Sequence, residues 1–127
     1  MTKQKKKILL IDDDKQFREF MFEMLTGQDF DVVVAENGDV GIQSFLVNKP
    51  DLVITDIVMP EKEGIEFILS ARDVDSVIPI IAVSGGNLGN ADSYLSMAKK
   101  LGVNSTLAKP FSMDDMLKEI NALLPSK

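Results

Sequence analysis

Five short apolar runs recur along the chain, and turn-forming residues bound each of them. Runs of this length that are apolar on both faces are typical of strands buried in a parallel sheet. Segments of mixed polar and apolar residues, each long enough for a helix, separate them. The predicted strands cover residues 8–11, 32–35, 52–55, 80–83 and 105–108.

The segment after the first run has the spacing of an amphipathic helix. Asp14 is a suitable N-cap for it, and Gly27 is a suitable end. Its apolar residues fall at i, i+3, i+4, i+7 and i+8, which brings them onto one face. The residues predicted to face inward are Phe17, Phe20, Met21, Met24 and Leu25.

Four further helices are predicted: over 39–48, from 65 to before Pro79, over 91–101, and from a cap at Ser112 to Pro125. Strands that alternate with helices through short connections predict an α/β domain with right-handed crossovers and helices on both faces. One domain would span 1–127, with the lysine-rich residues 1–7 as an exposed tail. The predicted inward side chains are Val40, Phe45, Leu46, Ile65, Ile68, Leu69, Leu95, Ala98, Leu101, Met116, Leu117, Ile120, Leu123 and Leu124.

Chemically useful groups follow four of the five runs. Asp12 and Asp13 follow the first run, Asp56 the third, Ser84 the fourth and Lys109 the fifth. Ligands of parallel sheets bind outside the carboxyl ends of the strands, so we expect these groups on one edge. Each residue alone has a plain structural explanation, such as a turn, a cap or an exposed lysine. Their joint placement is what points to function.

This set of groups suits a divalent cation and a phosphoryl group. Carboxylates held together repel one another, and Mg²⁺ offsets that repulsion while keeping sites for phosphate oxygens. A carboxylate can attack phosphorus to give an aspartyl phosphate. That transfer depends on positioning and charge neutralisation more than on acid–base groups. Lys109 can supply positive charge to the phosphoryl oxygens, and Ser84 a hydroxyl donor.

Composition removes several other classes of chemistry. The chain has no Cys, so it has no disulfide, thiol catalysis or thiolate metal site, and no His, so it has no imidazole catalysis or His-ligated zinc. A net charge of −6 gives no case for direct binding of nucleic acid. The longest apolar run is far too short for membrane insertion, and the start does not resemble a signal peptide.

In this order and spacing, the motifs resemble the receiver domain of two-component response regulators over essentially the whole chain. The matching residues are 8–14 (ILLIDDD), 55–60 (TDIVMP) with Gly64, 84–86 (SGG) and 109–111 (KPF). The resemblance implies a CheY-like, flavodoxin-like (βα)5 fold. That fold is a doubly wound five-stranded parallel sheet with strand order 2-1-3-4-5.

The resemblance also implies roles for the acidic residues. Asp56 is similar to the phosphoacceptor of the family. Asp12 and Asp13 resemble the acidic pair that holds Mg²⁺ (or Mn²⁺), together with Asp56 and the backbone carbonyl of Val58. Such a domain phosphorylates and dephosphorylates only itself, so it is a switch and not an enzyme acting on other substrates.

Ser84 resembles the switch hydroxyl that moves towards the phosphoryl group, and Lys109 the lysine that contacts it. Gly85 lies where the family usually has a small residue. Thr106 departs from the pattern, because the switch position three residues before the lysine is usually Tyr or Phe. Thr106 has no ring that can turn inward when the hydroxyl moves.

The partners implied by the resemblance are a histidine kinase or a histidine phosphotransfer protein as donor. The output would be an effector domain or a separate partner, with a possible phosphorylation-dependent dimer. A cytoplasmic location follows from the same resemblance.

Three other functions compete with this interpretation. A phosphatase of the haloacid dehalogenase type also uses Asp, Mg²⁺ and Lys, but Gln16 replaces its usual Thr or Val, and Asp114-Asp115 lies inside a predicted helix. Turnover of a phosphomonoester would favour it. An FMN carrier would need a phosphate cradle in the first loop, which is anionic here, and would be yellow. A degenerate receiver would signal through constitutive contacts without taking phosphate.

We predict slow loss of the phosphoryl group, because Val58 is apolar and Gly86 has no side chain. Family members often carry polar groups at these two positions, and those groups reach the attacking water. Measured phosphate release should be slower than from members that have polar side chains at both positions. Release as fast as in those members would contradict this prediction.

Overall fold

The computed structural model of the protein describes residues 5–57, 63–85 and 91–124. Within them, five parallel strands form one sheet in the order β2-β1-β3-β4-β5, which is the predicted order. The strands are β1 (Lys7–Ile11), β2 (Asp31–Ala35), β3 (Leu52–Asp56), β4 (Ile80–Gly85) and β5 (Ser105–Lys109). The helices that alternate with them are α1 (Lys15–Gly27), α2 (Gly38–Asn48), α3 (Glu63–Val74), α4 (Ala91–Lys100) and α5 (Met113–Leu123).

The central strands are apolar throughout because helices cover both faces of the sheet. In β1, Leu9 and Ile11 face a core formed with α2, α3 and α4, whereas Ile8 and Leu10 face a core formed with α1 and α5. All four of these side chains are fully buried. Alternate residues of one strand therefore supply two separate cores, as expected for a doubly wound sheet.

Both predicted N-caps are confirmed. The Asp14 side chain accepts hydrogen bonds from the backbone N–H groups of Gln16 and Phe17, which begins α1 directly after β1. The Ser112 hydroxyl accepts from the N–H of Asp115 and begins α5 after β5. Each cap satisfies N–H groups that have no partner within the helix, and so fixes where the helix starts.

Four of the predicted inward side chains are wrong: Phe20, Val40, Leu46 and Leu69 are 39–52% exposed. In α2 the buried face consists of Gly38, Gly41 and Phe45, with glycines in place of bulky residues. A Cβ atom on Gly41 would lie 2.7 Å from Cδ1 of Ile11. The helix therefore packs close to the sheet through its glycines, and its larger apolar residues flank that contact.

The strands are longer than predicted, and this changes where several polar residues lie. Lys7 belongs to β1 and not to a tail: its N–H donates to Oδ2 of Asp51 (2.8 Å) and its ammonium to the carbonyl of Asn48 (3.3 Å). At the carboxyl ends of the strands, the last residues of β3, β4 and β5 are Asp56, Gly85 and Lys109. Ladder hydrogen bonds therefore hold residues that were expected in loops. Residues 1–4, the Leu95 side chain and Pro125 lie outside what the structure describes.

Arg72 links the loops that lead into β4 and β5, at the amino-terminal ends of the strands. Its guanidinium donates to the carbonyl of Ile78 (2.7 Å), the carbonyl of Gly102 (2.8 Å) and Oδ1 of Asn104 (3.1 Å). Burial lowers the pKa of Arg72, and the charge of Asp75 opposes that effect. The segments before β4 and β5 are thus held together by one side chain of α3. Among the described helices, none has both the length and the apolar character needed to cross a bilayer.

Gly41→Val should destabilise the protein by about 1–3 kcal/mol, because overpacking of a filled core costs that much. The added carbons would meet Ile11 and Phe67, both of which are buried. Gly27→Val is the matched control: the space around Gly27 is open, and we expect a change within about 0.5 kcal/mol. Urea unfolding measures both, and equal losses in the two variants would contradict the close approach of α2.

Candidate functional site

Asp12 is fixed from both its backbone and its side chain. Its N–H donates to the carbonyl of Ala35 (3.1 Å), and Oδ1 accepts from the N–H of Asp14 (2.9 Å). The guanidinium of Arg18 donates to the carbonyl of Asp12 (2.8 Å). Asp12 is only 1% exposed. The second carboxylate oxygen, Oδ2, accepts from the ammonium of Lys109.

Asp56 ends β3 beside β4 and is 5% exposed. It pairs in register with Val83, and the next residue, Ile57, donates its N–H to the Val83 carbonyl (2.9 Å). Gly64 at the start of α3 lies against this strand end. A Cβ atom there would collide with the Asp56 carbonyl oxygen and lie 2.5 Å from Cα of Ile57. Only glycine therefore allows α3 to begin so close to Asp56.

The ammonium of Lys109 joins the two buried carboxylates. Its Nζ lies 2.8 Å from Oδ2 of Asp12 and 3.2 Å from Oδ2 of Asp56. Burial alone would lower the pKa of Lys109. The hydrogen bonds and charges of Asp12 and Asp56 outweigh that effect, so the pKa lies above its ordinary value. Lys109 is consequently a fixed positive charge at neutral pH.

Asp13 completes an acidic cluster. One carboxylate oxygen from each of Asp12, Asp13 and Asp56 can be chosen so that all lie within 4.8 Å of one another. Asp13 is exposed, whereas the other two are buried. Among the described residues, these three carboxylates and the ammonium of Lys109 together carry a net negative charge. An all-oxygen set with that charge suits a hard divalent cation such as Mg²⁺, which also keeps several waters.

Ser84 is fully buried in β4, one residue beyond the Val83 that pairs with Asp56. Its Oγ has no hydrogen-bond partner among the described residues. A buried hydroxyl without a partner costs about 1–3 kcal/mol, so such groups are uncommon and call for an explanation. A ligand atom at the strand ends would supply one.

The remaining predicted residues lie as follows. Gly85 pairs in register with Lys109, and Thr106 pairs with Ala82 and is half-buried. Val58, whose carbonyl was predicted to bind metal, lies outside the described residues. The strand ends thus bring together Asp12, Asp13, Asp56 and Lys109.

Two site residues were missed by sequence reasoning. Arg18 was not singled out, and Phe17 was interpreted only as a core residue, yet its ring centroid lies 3.9 Å from Nζ of Lys109. Both are in the first turn of α1. The Asp14 cap was a usable signal, because it fixes which side chains that turn directs back towards the strand ends.

Comparison with known proteins agrees with this geometry. The sequence model of the response regulator receiver domain matches residues 8–121. The transcriptional regulatory protein RprY of Bacteroides fragilis is 31% identical over 95% of this chain and 50% of its own length. The chain spans about half the length of the curated relatives it matches.

Solved structures give the same result. A response regulator receiver domain protein from Clostridium thermocellum is 27% identical, with a TM-score of 0.85 over 94% of each chain. The chemotaxis response regulator CheY4 of Vibrio cholerae has a TM-score of 0.82 over 94% of this chain and 99% of its own. At 23% identity, that likeness concerns the fold alone.

Asp13→Asn should raise the Tm in EDTA by roughly 2–5 °C, because it removes a like charge and leaves both ion pairs of Lys109 intact. Adding MgCl₂ should raise the Tm of the wild type and raise that of Asp13→Asn much less. Asp14→Asn is the matched control: it changes the same charge one residue away, and Asn is an equally good N-cap. Thermal unfolding with and without Mg²⁺ measures all three. An equal gain from Mg²⁺ in wild type and Asp13→Asn would contradict a role for Asp13.

Proposed function

Because this chain belongs to the response regulator receiver domain family, whose members are phosphorylation-dependent signalling switches and not classical enzymes, we propose that it takes a phosphoryl group on Asp56. The observation that carries the proposal is the bridging of Asp12 and Asp56 by Lys109 at the strand ends. A buried carboxylate beside a fixed ammonium is suited to phosphoryl transfer, which depends on position and charge neutralisation.

In the proposed step, a carboxylate oxygen of Asp56 attacks the phosphorus of the donor. The new O–P bond forms as the bond between phosphorus and the leaving group breaks in line with it. With a phosphohistidine donor, the P–N bond breaks, and the imidazole nitrogen keeps the electron pair and takes up a proton. With acetyl phosphate, the P–O bond breaks and acetate leaves.

Lys109 has the main electrostatic role among the residues of this chain. Its ammonium contacts Oδ2 of Asp56 at 3.2 Å, close to where phosphoryl oxygens would lie after transfer. It would then exchange part of its contact with the carboxylate for the more strongly charged phosphoryl group. The second ion pair, to Asp12 at 2.8 Å, keeps the ammonium at the strand ends during that exchange.

Receiver domains generally bind Mg²⁺ through an acidic pocket, and Asp12, Asp13 and Asp56 are suited to hold the ion here, with the carbonyl of Val58 as a further proposed ligand. When bound, Mg²⁺ supplies positive charge to the phosphoryl oxygens and lowers the repulsion among the carboxylates. Mn²⁺ has the same preference for oxygen ligands and is expected to substitute for it.

Ser84 is the proposed sensor of the phosphoryl group. Its buried hydroxyl has no partner among the described residues, and we propose that it donates to a phosphoryl oxygen on Asp56. In the proposed switch, the Ser84 hydroxyl moves towards the phosphoryl group, and Gly85 beside it has no side chain that could hinder this movement. Thr106, in register with Ala82, is proposed as the atypical second switch position, which acts without an aromatic ring.

Response regulators of this family interact with histidine kinases and effector domains. We propose that the donor for this chain is a histidine kinase or a histidine phosphotransfer protein. We further propose that the phosphorylated form changes contacts with an effector domain, a separate partner or a second copy of the chain. The curated relatives are transcriptional regulators about twice as long, which supports an effector domain as one route of output.

Incubation with acetyl phosphate and Mg²⁺ should add one phosphoryl group to the wild type, measured by intact-mass spectrometry. Asp56→Ala should add none, because the nucleophile is gone. Asp73→Ala is the matched control: it removes an exposed carboxylate of α3 and should label like the wild type.

Three outcomes would count against the proposal. Labelling that persists in Asp56→Ala would indicate a different acceptor. Labelling of the wild type that is as fast in EDTA as in MgCl₂ would contradict the proposal that the acidic cluster holds Mg²⁺ for the transfer. A wild type that takes no phosphoryl group from acetyl phosphate or from a kinase would favour a degenerate receiver.

A further inference from the structure

The ammonium of Lys109 has a third neighbour besides its two carboxylates. Its Nζ lies 3.9 Å from the centroid of the Phe17 ring. A cation over an aromatic face at this distance is attracted by the negative charge density of the ring. Nζ of Lys109 therefore contacts the Phe17 ring as well as Oδ2 of Asp12 and Oδ2 of Asp56.

The ring of Phe17 is itself fixed by two neighbours. The backbone N–H of Phe17 donates to Oδ1 of the Asp14 cap. That cap sets the start of α1 and therefore the direction of the Phe17 side chain. The Phe111 ring packs edge-on against it, with centroids 6.0 Å apart and an interplanar angle of 88°. Phe111 lies just after β5, two residues beyond Lys109.

We propose that Phe17 is a positioning residue that holds the Lys109 ammonium against Asp12 and Asp56 through a cation–π contact. The consequence for phosphoryl transfer depends on the function proposed above, whereas the contact itself does not. Lys109 ends an edge strand and has a long side chain, whose freedom to change rotamer opposes the geometry of the two ion pairs. A fixed ring removes part of that freedom and keeps water from one side of the ammonium.

Phe17 also belongs to the apolar cluster under α1 and α5, so its packing has to be separated from its effect on Lys109. A double-mutant cycle with Phe17→Leu and Lys109→Met does this on urea unfolding. Leucine keeps an apolar side chain in the cluster, and methionine keeps the length of lysine without its charge. Phe17→Leu should raise the unfolding equilibrium constant by a factor that is about three- to tenfold larger in the wild type than in the Lys109→Met background, because only the wild type has the contact to lose. Equal losses in both backgrounds would reduce Phe17 to a packing residue and overturn the proposal.

A second measurement concerns the reaction. Phe17→Leu should slow labelling by acetyl phosphate about three- to tenfold, and Phe17→Tyr, which keeps the aromatic face, should restore the rate. Phe20→Leu is the matched control: it lies on the same helix, is half-exposed and should label like the wild type. Labelling of Phe17→Leu at the wild-type rate would overturn the proposal.

Failure of the proposed function and failure of this inference give different results. If the wild type takes no phosphoryl group, the function fails, and the unfolding cycle still decides whether Phe17 holds Lys109. If the wild type is labelled but the cycle shows no coupling, the function stands and the role of Phe17 fails.

Discussion

The two buried carboxylates of Asp12 and Asp56 repel one another, and the site depends on the Lys109 ammonium, which offsets this repulsion. Lys109 reaches them from β5, which is two strands, or about 10 Å, away from β3. Its side chain must pass over the end of β4, where Gly85 stands in register with it. Residues in register direct their side chains to the same face, so a larger side chain at Gly85 would lie beside the path of the lysine.

That electrostatic balance also requires hydrogen bonds and close packing around the two charged residues. Asp12 keeps its orientation because Ala35, Asp14 and Arg18 each make a hydrogen bond to it. Asp56 stays buried because Gly64 lets α3 pack closely against the end of β3. Ion pairs of 2.8 and 3.2 Å tolerate little displacement, so the hydrogen bonds and the glycine contact serve the charges as much as they serve stability.

The sequence was sufficient to predict the strands, both caps and the joint position of the polar residues, because each has a local signal. It was insufficient where a contact depends on the absence of a large side chain. Hydrophobic spacing counts large apolar residues, so it assigned Val40 and Leu46 to the core and missed the glycine face of α2 that packs on Ile11. The contact of Phe17 with Lys109 joins residues far apart in the chain, and no local pattern records it.

The lack of a ring at Thr106 changes how a signal would leave the site in the proposed switch. A ligand shifts a conformational equilibrium only through contacts that differ between the two states. The Ser84 hydroxyl would be one such contact, because it has no hydrogen-bond partner among the described residues and would donate to the phosphoryl group in the proposed switch. Lys109 would be another, because its contacts would change in the proposed step and it is linked through Phe17 to Phe111 at the start of the segment leading to α5. Movement of the lysine would thus be transmitted to α1 and α5 through aromatic packing, without any rotation of a side chain at position 106.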